Sequence, residues 1–146
     1  MGQPVGGSTG DLVRYRIETA QSDLLSANIL LKEGAYRGAN NRAYYAVYHA
    51  ISAVHALDGK SYKRHKDTLA NFNKDYIKTE VFPKTFGRRI ARVEEIRHAS
   101  DYDDFYIATK EKAEEQILTA KELIEQIETF CLNRLKDRKE SNNDEI

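Results

Sequence analysis

Apolar residues recur every three or four positions in three long stretches of the chain. Val13, Ile17, Ala20, Leu24, Ala27 and Leu31 form the first series. Ala43, Val47, Ala50, Val54 and Leu57 form the second, and Ala113, Ile117, Ala120, Ile124, Ile127 and Cys131 the third. This spacing places each series on one stripe of an α-helix. Alanine at many of these positions lets helix axes approach closely. Period-two alternation bounded by turns is absent, so no sheet is expected.

The breaks between these stripes define the remaining elements. Asp11 is the expected N-cap of the first helix. Gly34 and Gly38 are expected to flank a tight turn into an antiparallel second helix, which Asp58-Gly59 ends. A shorter helix is expected from His65 to Tyr76, with Leu69, Phe72 and Tyr76 inward. Pro83 suits the first turn of a fourth helix reaching about Ala99. Ser100 to Ala108 reads as a turn, and Thr109 as the cap of the last helix, with Glu111 at its positive end. The pattern predicts an all-α, up-and-down antiparallel bundle of about five helices over residues 11–135. Residues 1–10 are expected to be a disordered, Gly-rich leader and 136–146 a disordered polar tail.

Composition narrows the class. The chain is 40% hydrophobic and 32% charged, too apolar for wholesale disorder. One cysteine, Cys131, cannot form an internal disulfide and fits a reducing, cytoplasmic setting. No apolar run approaches the roughly 20 residues of a membrane span. Net charge is zero, yet Lys60–Arg92 carries ten basic against three acidic residues, and Val93–Glu128 eleven acidic against four basic. These blocks either pair with each other inside the bundle or leave a basic half open to a polyanion.

Candidate chemistry concentrates on the fourth helix. Its stripe runs Phe86, Ile90, Val93, and the next step of four lands on Arg97, with Ile96 as an alternative seam position. A guanidinium there must snorkel out or find a carboxylate. Asp101, Asp103 and Asp104 follow, and a bend returning one of them for a bidentate hydrogen bond is the expected answer. Either the pair is a structural clamp, or Arg97 stays available to a phosphate. On the second helix, Arg42, Tyr45 and His49 share a face beside a Tyr44–Tyr48 row. That face is either a core edge or a stacking surface for a nucleotide. Lys63 and His65 belong to a basic loop at a helix start, with phosphate-contact chemistry. No His-Glu-x-x-His occurs, and neither metal nor cofactor is expected.

The run Asn41-Arg42-Ala43-Tyr44-Tyr45-Ala46-Val47-Tyr48-His49-Ala50 resembles the second helix of HEPN domains. Gly34-x-Tyr36-Arg37-x-Ala39 before it and Lys63-Arg64-His65 after it fit the same family. Arg97-His98-Ala99-Ser100-Asp101-Tyr102-Asp103-Asp104-Phe105 resembles the Arg-x-x-Ala-Asp-Tyr-Asp-Asp signature of its small stand-alone branch. The likeness covers roughly residues 11–135. It implies a helical bundle that often dimerises with the signature arginine near the interface. Many relatives are RNA-cleaving toxins, and others pair with a small nucleotidyltransferase in toxin–antitoxin modules.

Cleaving relatives place a histidine within about two helical turns of the arginine. After Arg97 that window holds Asp101, Tyr102, Asp103 and Asp104 and no histidine. Arg92 and His98 satisfy the spacing, but their side chains diverge by about 120° around a helix. The leading expectation is therefore a non-enzymatic or weakly enzymatic module that dimerises and binds a nucleotide, an RNA or a partner nucleotidyltransferase. Arg97, Asp101 and Tyr102 form its centre, with Arg42, Tyr45, His49, Asp103, Asp104, Lys63 and His65 alongside. The alternatives are a ribonuclease toxin with a variant site, in which Arg97, Asp101 and Tyr102 would be catalytic, and a purely structural dimeric bundle.

Overall fold

The second helix lies at the centre of the molecule because its sequence is apolar or small on nearly every side. Residues 8–144 are described by the computed structural model, and every regular element among them is helical. The order is α1 (Thr9–Lys32), α2 (Tyr36–Leu57), α3 (His65–Phe72), α4 (Thr85–Tyr102) and α5 (Lys110–Asp144). A π-helical turn, Asn73–Ile77, extends α3. Helix α2 packs against α1, α3, α4 and α5, so its alanines and valines meet a neighbour in most directions. The result is the expected all-α bundle of five helices.

The periodic stripes are the core. Val13, Ile17, Ala20 and Ala27 of α1 are buried, as are Ala43, Val47, Ala50, Val54 and Leu57 of α2 and the whole α5 series from Ala113 to Cys131. Leu69, Phe72 and Tyr76 point inward, joined by Phe82, which lies in the loop before α4. Phe82 packs on Phe72 and Phe130, with ring centroids 5.5 and 5.1 Å apart.

Several boundaries differ from the periodic reading. Ser8, not Asp11, caps α1. Its hydroxyl accepts the Asp11 N–H and the Asp11 carboxylate accepts the Ser8 N–H, a reciprocal pair that starts the helix three residues earlier. Residues 8–10 therefore belong to the fold's edge, and 1–7 lie outside the described residues. Gly34 takes the left-handed conformation that the tight turn requires, φ 79°. Gly38 lies inside α2, where a β-carbon would sit 3.2 Å from Leu30 of α1, so it permits close helix approach rather than a turn. Helix α4 continues past Ala99 to Tyr102. Thr109 caps α5 as expected, its hydroxyl accepting the Lys112 N–H at 3.2 Å.

Helix α5 also continues beyond Leu135. Arg134 and Arg138 reach back to Asp58 at 3.1 and 3.5 Å, and Arg138 donates to the Leu57 carbonyl at 2.8 Å. These contacts satisfy the exposed C-terminal end of α2 and give the polar extension something to hold. Between the two charge blocks, Arg89 meets Glu122 and Arg92 meets Glu115, each at 2.9 Å across α4 and α5. The opposed blocks thus partly neutralise one another within the bundle. No described helix is long and apolar enough to cross a membrane.

Candidate functional site

Asp23 is an acid on the apolar stripe of α1. It falls three residues after Ala20 and four before Ala27, and it is buried against α2. A carboxylate there needs partners, and α2 provides two. Arg42 Nη1 approaches Asp23 Oδ1 at 3.1 Å, and His49 Nδ1 approaches Oδ2 at 2.8 Å. An ionised carboxylate only accepts, so Nδ1 of His49 carries the hydrogen and Nε2 is left unpartnered among the described residues. Arg42 also lies over the Tyr45 ring, 4.8 Å from its centroid. Arg42, Tyr45 and His49 therefore share one face, tied together from below by α1.

Arg97 sits next to this face. Ile96 takes the apolar seam of α4, while the largely buried Arg97 side chain lies against Tyr44 of α2. Its guanidinium carbon is 4.2 Å from the Tyr44 ring centroid. The bidentate clamp from a returning bend is absent. Because α4 continues through Asp101, that residue is one turn further along the same helix, and its carboxylate meets Arg97 Nη1 at 3.7 Å. Asp101 also accepts a hydrogen bond from Asn41 at 3.0 Å. Nε of Arg97 is buried without a hydrogen-bond partner among the described residues. The guanidinium is held by an aromatic face and one loose ion pair, and its donors are not saturated.

The other signature residues do not converge on Arg97. Tyr102 is exposed and packs on His98, ring centroids 4.9 Å apart. Asp103 ends α4, and its carboxylate accepts the Phe105 N–H at 3.0 Å. Asp104 and Lys63 are exposed and have no hydrogen bond or ion pair among the described residues. Asp101 and Tyr102, consecutive in the helix, point about 100° apart, and the chain leaves the helix at Asp103, so Asp103 and Asp104 follow the bend instead.

Two histidines come instead from elsewhere in the chain. His65, the first residue of α3, lies with its ring centroid 4.1 Å from Tyr48, 5.8 Å from Tyr45 and 6.2 Å from Tyr44. Its Nδ1 is 3.4 Å from the Tyr44 hydroxyl. Tyr45 lies 6.2 Å from His49 on its other side. Burial, then the nearby charges of Arg97 and His49, lower the His65 pKa, so its imidazole is neutral at pH 7. Burial pushes the Tyr44 phenol up to about 12 against the pull of Arg97, so it stays protonated. Two guanidinium groups, of Arg42 and Arg97, and two imidazoles therefore share a tyrosine-lined shelf built by four helices.

Sequence reasoning missed three contributors. Asp23 was legible as a lone acid on an apolar stripe. Asn41 links the two halves, accepting from Arg42 at 2.8 and 3.0 Å while donating to Asp101. Arg37 fixes the bend after α4, donating to the carbonyls of Ser100 at 2.6 Å, Asp103 at 3.1 Å and Tyr106. An arginine in a helix's first turn carries no local sign of that role. An open cleft of about 740 Å³ between the π-helical turn and the start of α4 shares no lining residue with the shelf. No cluster of three His, Cys, Asp or Glu residues among the described residues could hold a metal.

Comparison with known proteins fits this architecture. The chain is 31% identical to a UPF0332 protein of Thermotoga maritima over 80% of its own length and 89% of that protein's. It is 30% identical to the candidate toxin MJ0605 of Methanocaldococcus jannaschii, covering 79% and 85% of the two chains. The crystal structure of TT1696 from Thermus thermophilus shares the fold, with a TM-score of 0.69 at 22% identity over 80% of this chain and 96% of that one. Residues 13–130 match the HEPN domain. From the tyrosine-rich central helix, the arginine packed on it and that match, the chain belongs to the HEPN family.

Proposed function

We propose that this chain is a toxin-type HEPN module that binds RNA through a phosphate held at Arg97. The observation that carries the reading is the state of that guanidinium. It is sheltered on Tyr44, paired with one carboxylate only at 3.7 Å, and retains a buried Nε that is unpartnered among the described residues. A fully clamped arginine would have no capacity for a ligand, and a solvated one would gain little from a ligand phosphate. Tyr45 and Tyr48 flank Tyr44, the ring that carries the cation, with centroids 5.1 and 6.3 Å from it, and offer ring faces and edges suited to stacking on unpaired bases. The Methanocaldococcus relatives named as candidate toxins support the same role.

The test is binding of a fluorescent mixed-sequence oligoribonucleotide, followed by anisotropy at several salt concentrations. Micromolar binding that weakens at least tenfold in Arg97→Ala supports the reading. Equal binding by the two proteins overturns it. In cells, induced expression should arrest growth, and Arg97→Ala should relieve the arrest.

A second reading concerns a protein partner. The bend after α4 presents Phe105 and Ile107 to solvent, 92% and 79% exposed, beside exposed Tyr102. Arg37 holds that bend through three carbonyls. An ordered apolar projection next to the signature suits docking of a second copy of the chain or of a nucleotidyltransferase partner. Light scattering of the wild type and Phe105→Ser tests the dimer, and co-purification with a co-expressed nucleotidyltransferase tests the pair.

A further inference from the structure

We propose that the open seam between α3 and α4 is a docking groove for an acidic, amphipathic segment of a partner protein. The groove follows from how the helices pack. Helix α3 packs on α2 and on the π-helical turn, and α4 on α2, α5 and that turn, but α3 and α4 do not pack on each other. Their seam is left as two adjoining hollows of about 740 and 430 Å³ that share Asn73 and Gly87. Gly87 forms the waist between them, since a β-carbon there would lie 3.2 Å from Asn73 Oδ1 and 3.3 Å from Ile77. None of the shelf residues around Arg97 lines either hollow, so the proposal does not rest on the RNA-binding reading.

Floor and rim differ in chemistry. Leu69, Phe72, Ile77 and Ile90 lie along the floor, and Ala70 and Ala91 are exposed beside them. The rim is basic. Lys66, Lys78, Lys84, Arg88 and Arg89 line the hollows against one acid, Glu94. Arg89 is taken up by Glu122 at 2.9 Å, and Lys84 meets Glu80 at 3.6 Å with both side chains exposed. Lys78 and Arg88 are exposed and have no hydrogen bond or ion pair among the described residues. Free positive charge therefore concentrates beside the start of α4, while the other end of the groove holds Lys66 with Glu94.

This arrangement selects the occupant. A phosphate backbone would satisfy the cations but leave the apolar floor unmatched, and it would meet Glu94 at one end. A helix with an apolar stripe covers the floor, and carboxylates beside that stripe reach Lys78, Lys84 and Arg88. From Lys66 to Lys78 the groove runs about 18 Å, room for about three turns of such a helix. Charge sets its register, with the acidic end over the start of α4.

The probe is a fluorescein-labelled peptide of about four helical turns, with leucines at helical spacing and glutamates elsewhere, mixed with the full chain and followed by anisotropy. Micromolar binding is expected. A peptide with lysine in place of glutamate should not bind, nor one of the same composition whose order breaks the apolar stripe. The double change Lys78→Glu with Arg88→Glu, and separately Ala91→Glu, should each weaken binding about tenfold or more. Lys121→Glu, an exposed charge change on α5 outside the groove, should not. Circular dichroism checks that every variant folds. Amide shifts on binding should centre on residues 66–91. Failure of the acidic peptide to bind overturns the proposal, as does equal binding by either control peptide. Binding that the folded groove variants leave unchanged overturns it as well. Displacement of the peptide by an equimolar mixed-sequence oligoribonucleotide would make the groove a nucleic-acid path and overturn it too.

Discussion

The guanidinium of Arg97 lies over Tyr44, 4.2 Å from the ring centroid, and meets its nearest carboxylate, Asp101, only at 3.7 Å. The ring, not the acid, is the principal support of this charge. Arg97→Ala should then destabilise the fold by about 1–2 kcal/mol, the range of a desolvated cation–π contact, and not by the roughly 3–5 kcal/mol that follows breaking a buried ion pair. Urea denaturation measures the difference. A loss near the upper figure would mean that the arginine serves stability alone.

Arg37 ties the bend after α4 to the start of α2 through three backbone carbonyls. Hydrogen bonds from a charged donor are each worth about 1.5–3 kcal/mol, and these share one side chain. Arg37→Ala should cost about 2–3 kcal/mol overall and speed amide exchange over residues 103–108 more than elsewhere. Lysine, with a single ammonium group, should not restore protection at all three carbonyls. Unchanged exchange over the bend in Arg37→Ala would show that its conformation is held by other contacts.

His55 is buried beneath Tyr62, Phe72 and Tyr76, and its Nε2–H donates to the Thr68 carbonyl at 2.9 Å. Its Nδ1 has no partner among the described residues. Burial lowers its pKa, with the Lys60 charge acting in the same direction. The unfolded chain therefore takes up a proton near pH 6.5 that the native state resists, and the stability present above that value is lost as pH falls through it. His65 is shifted in the same sense and adds to the trend. Unfolding free energy should be level above about pH 7 and decline towards about pH 5.5. In His55→Gln that decline should be shallower, and an unaltered slope would assign the pH dependence to other groups.

The end of α5 beyond Leu135 grips α2 through Arg138, bound to the Leu57 carbonyl and to Asp58. These contacts are partly exposed, so their worth is small, about 1 kcal/mol. Truncation after Leu135 and the single change Arg138→Ala should lower stability by similar amounts in thermal melts. A truncated chain as stable as the full one would show that the extension is dispensable to the bundle.

The helices were legible because burial and periodicity coincide. Ala43, Val47, Ala50, Val54 and Leu57 repeat at helical spacing and are all buried, and the α5 series behaves alike. Caps were less legible. Asp11 and Ser8 are both good N-terminal residues, and only the reciprocal hydrogen bonds show which of them ends the helix. Gly38 read as a turn residue because composition does not separate a glycine needed for its φ from one needed for its small volume.

The site was partly legible. Arg42, Tyr45 and His49 were placed on one face by their spacing within a single helix. Arg97 was marked by its step from the apolar stripe, and Asp101 stood among its expected partners, but the Tyr44 ring that supports it did not. One of Asp101, Asp103 and Asp104 was expected to return on a bend and clamp it; Asp101 does meet it, but loosely and from one turn along the same helix, while Asp103 ends α4 and caps the Phe105 N–H instead. The pairing of Asp23 with His49 spans 26 positions and that of Tyr44 with His65 spans 21, separations that carry no local pattern.

By itself, the order of residues along the chain determined the helices, their buried stripes and the family likeness, since each depends on neighbours within a turn or two. Tertiary structure alone decided which polar side chains meet. It rested Arg97 on Tyr44, set His65 beside it, and placed Asp23 beneath His49. Helical periodicity fixes the direction of a side chain about its own axis. Where that side chain ends in space depends on how separate helices cross, and that is settled by the packing of the whole core.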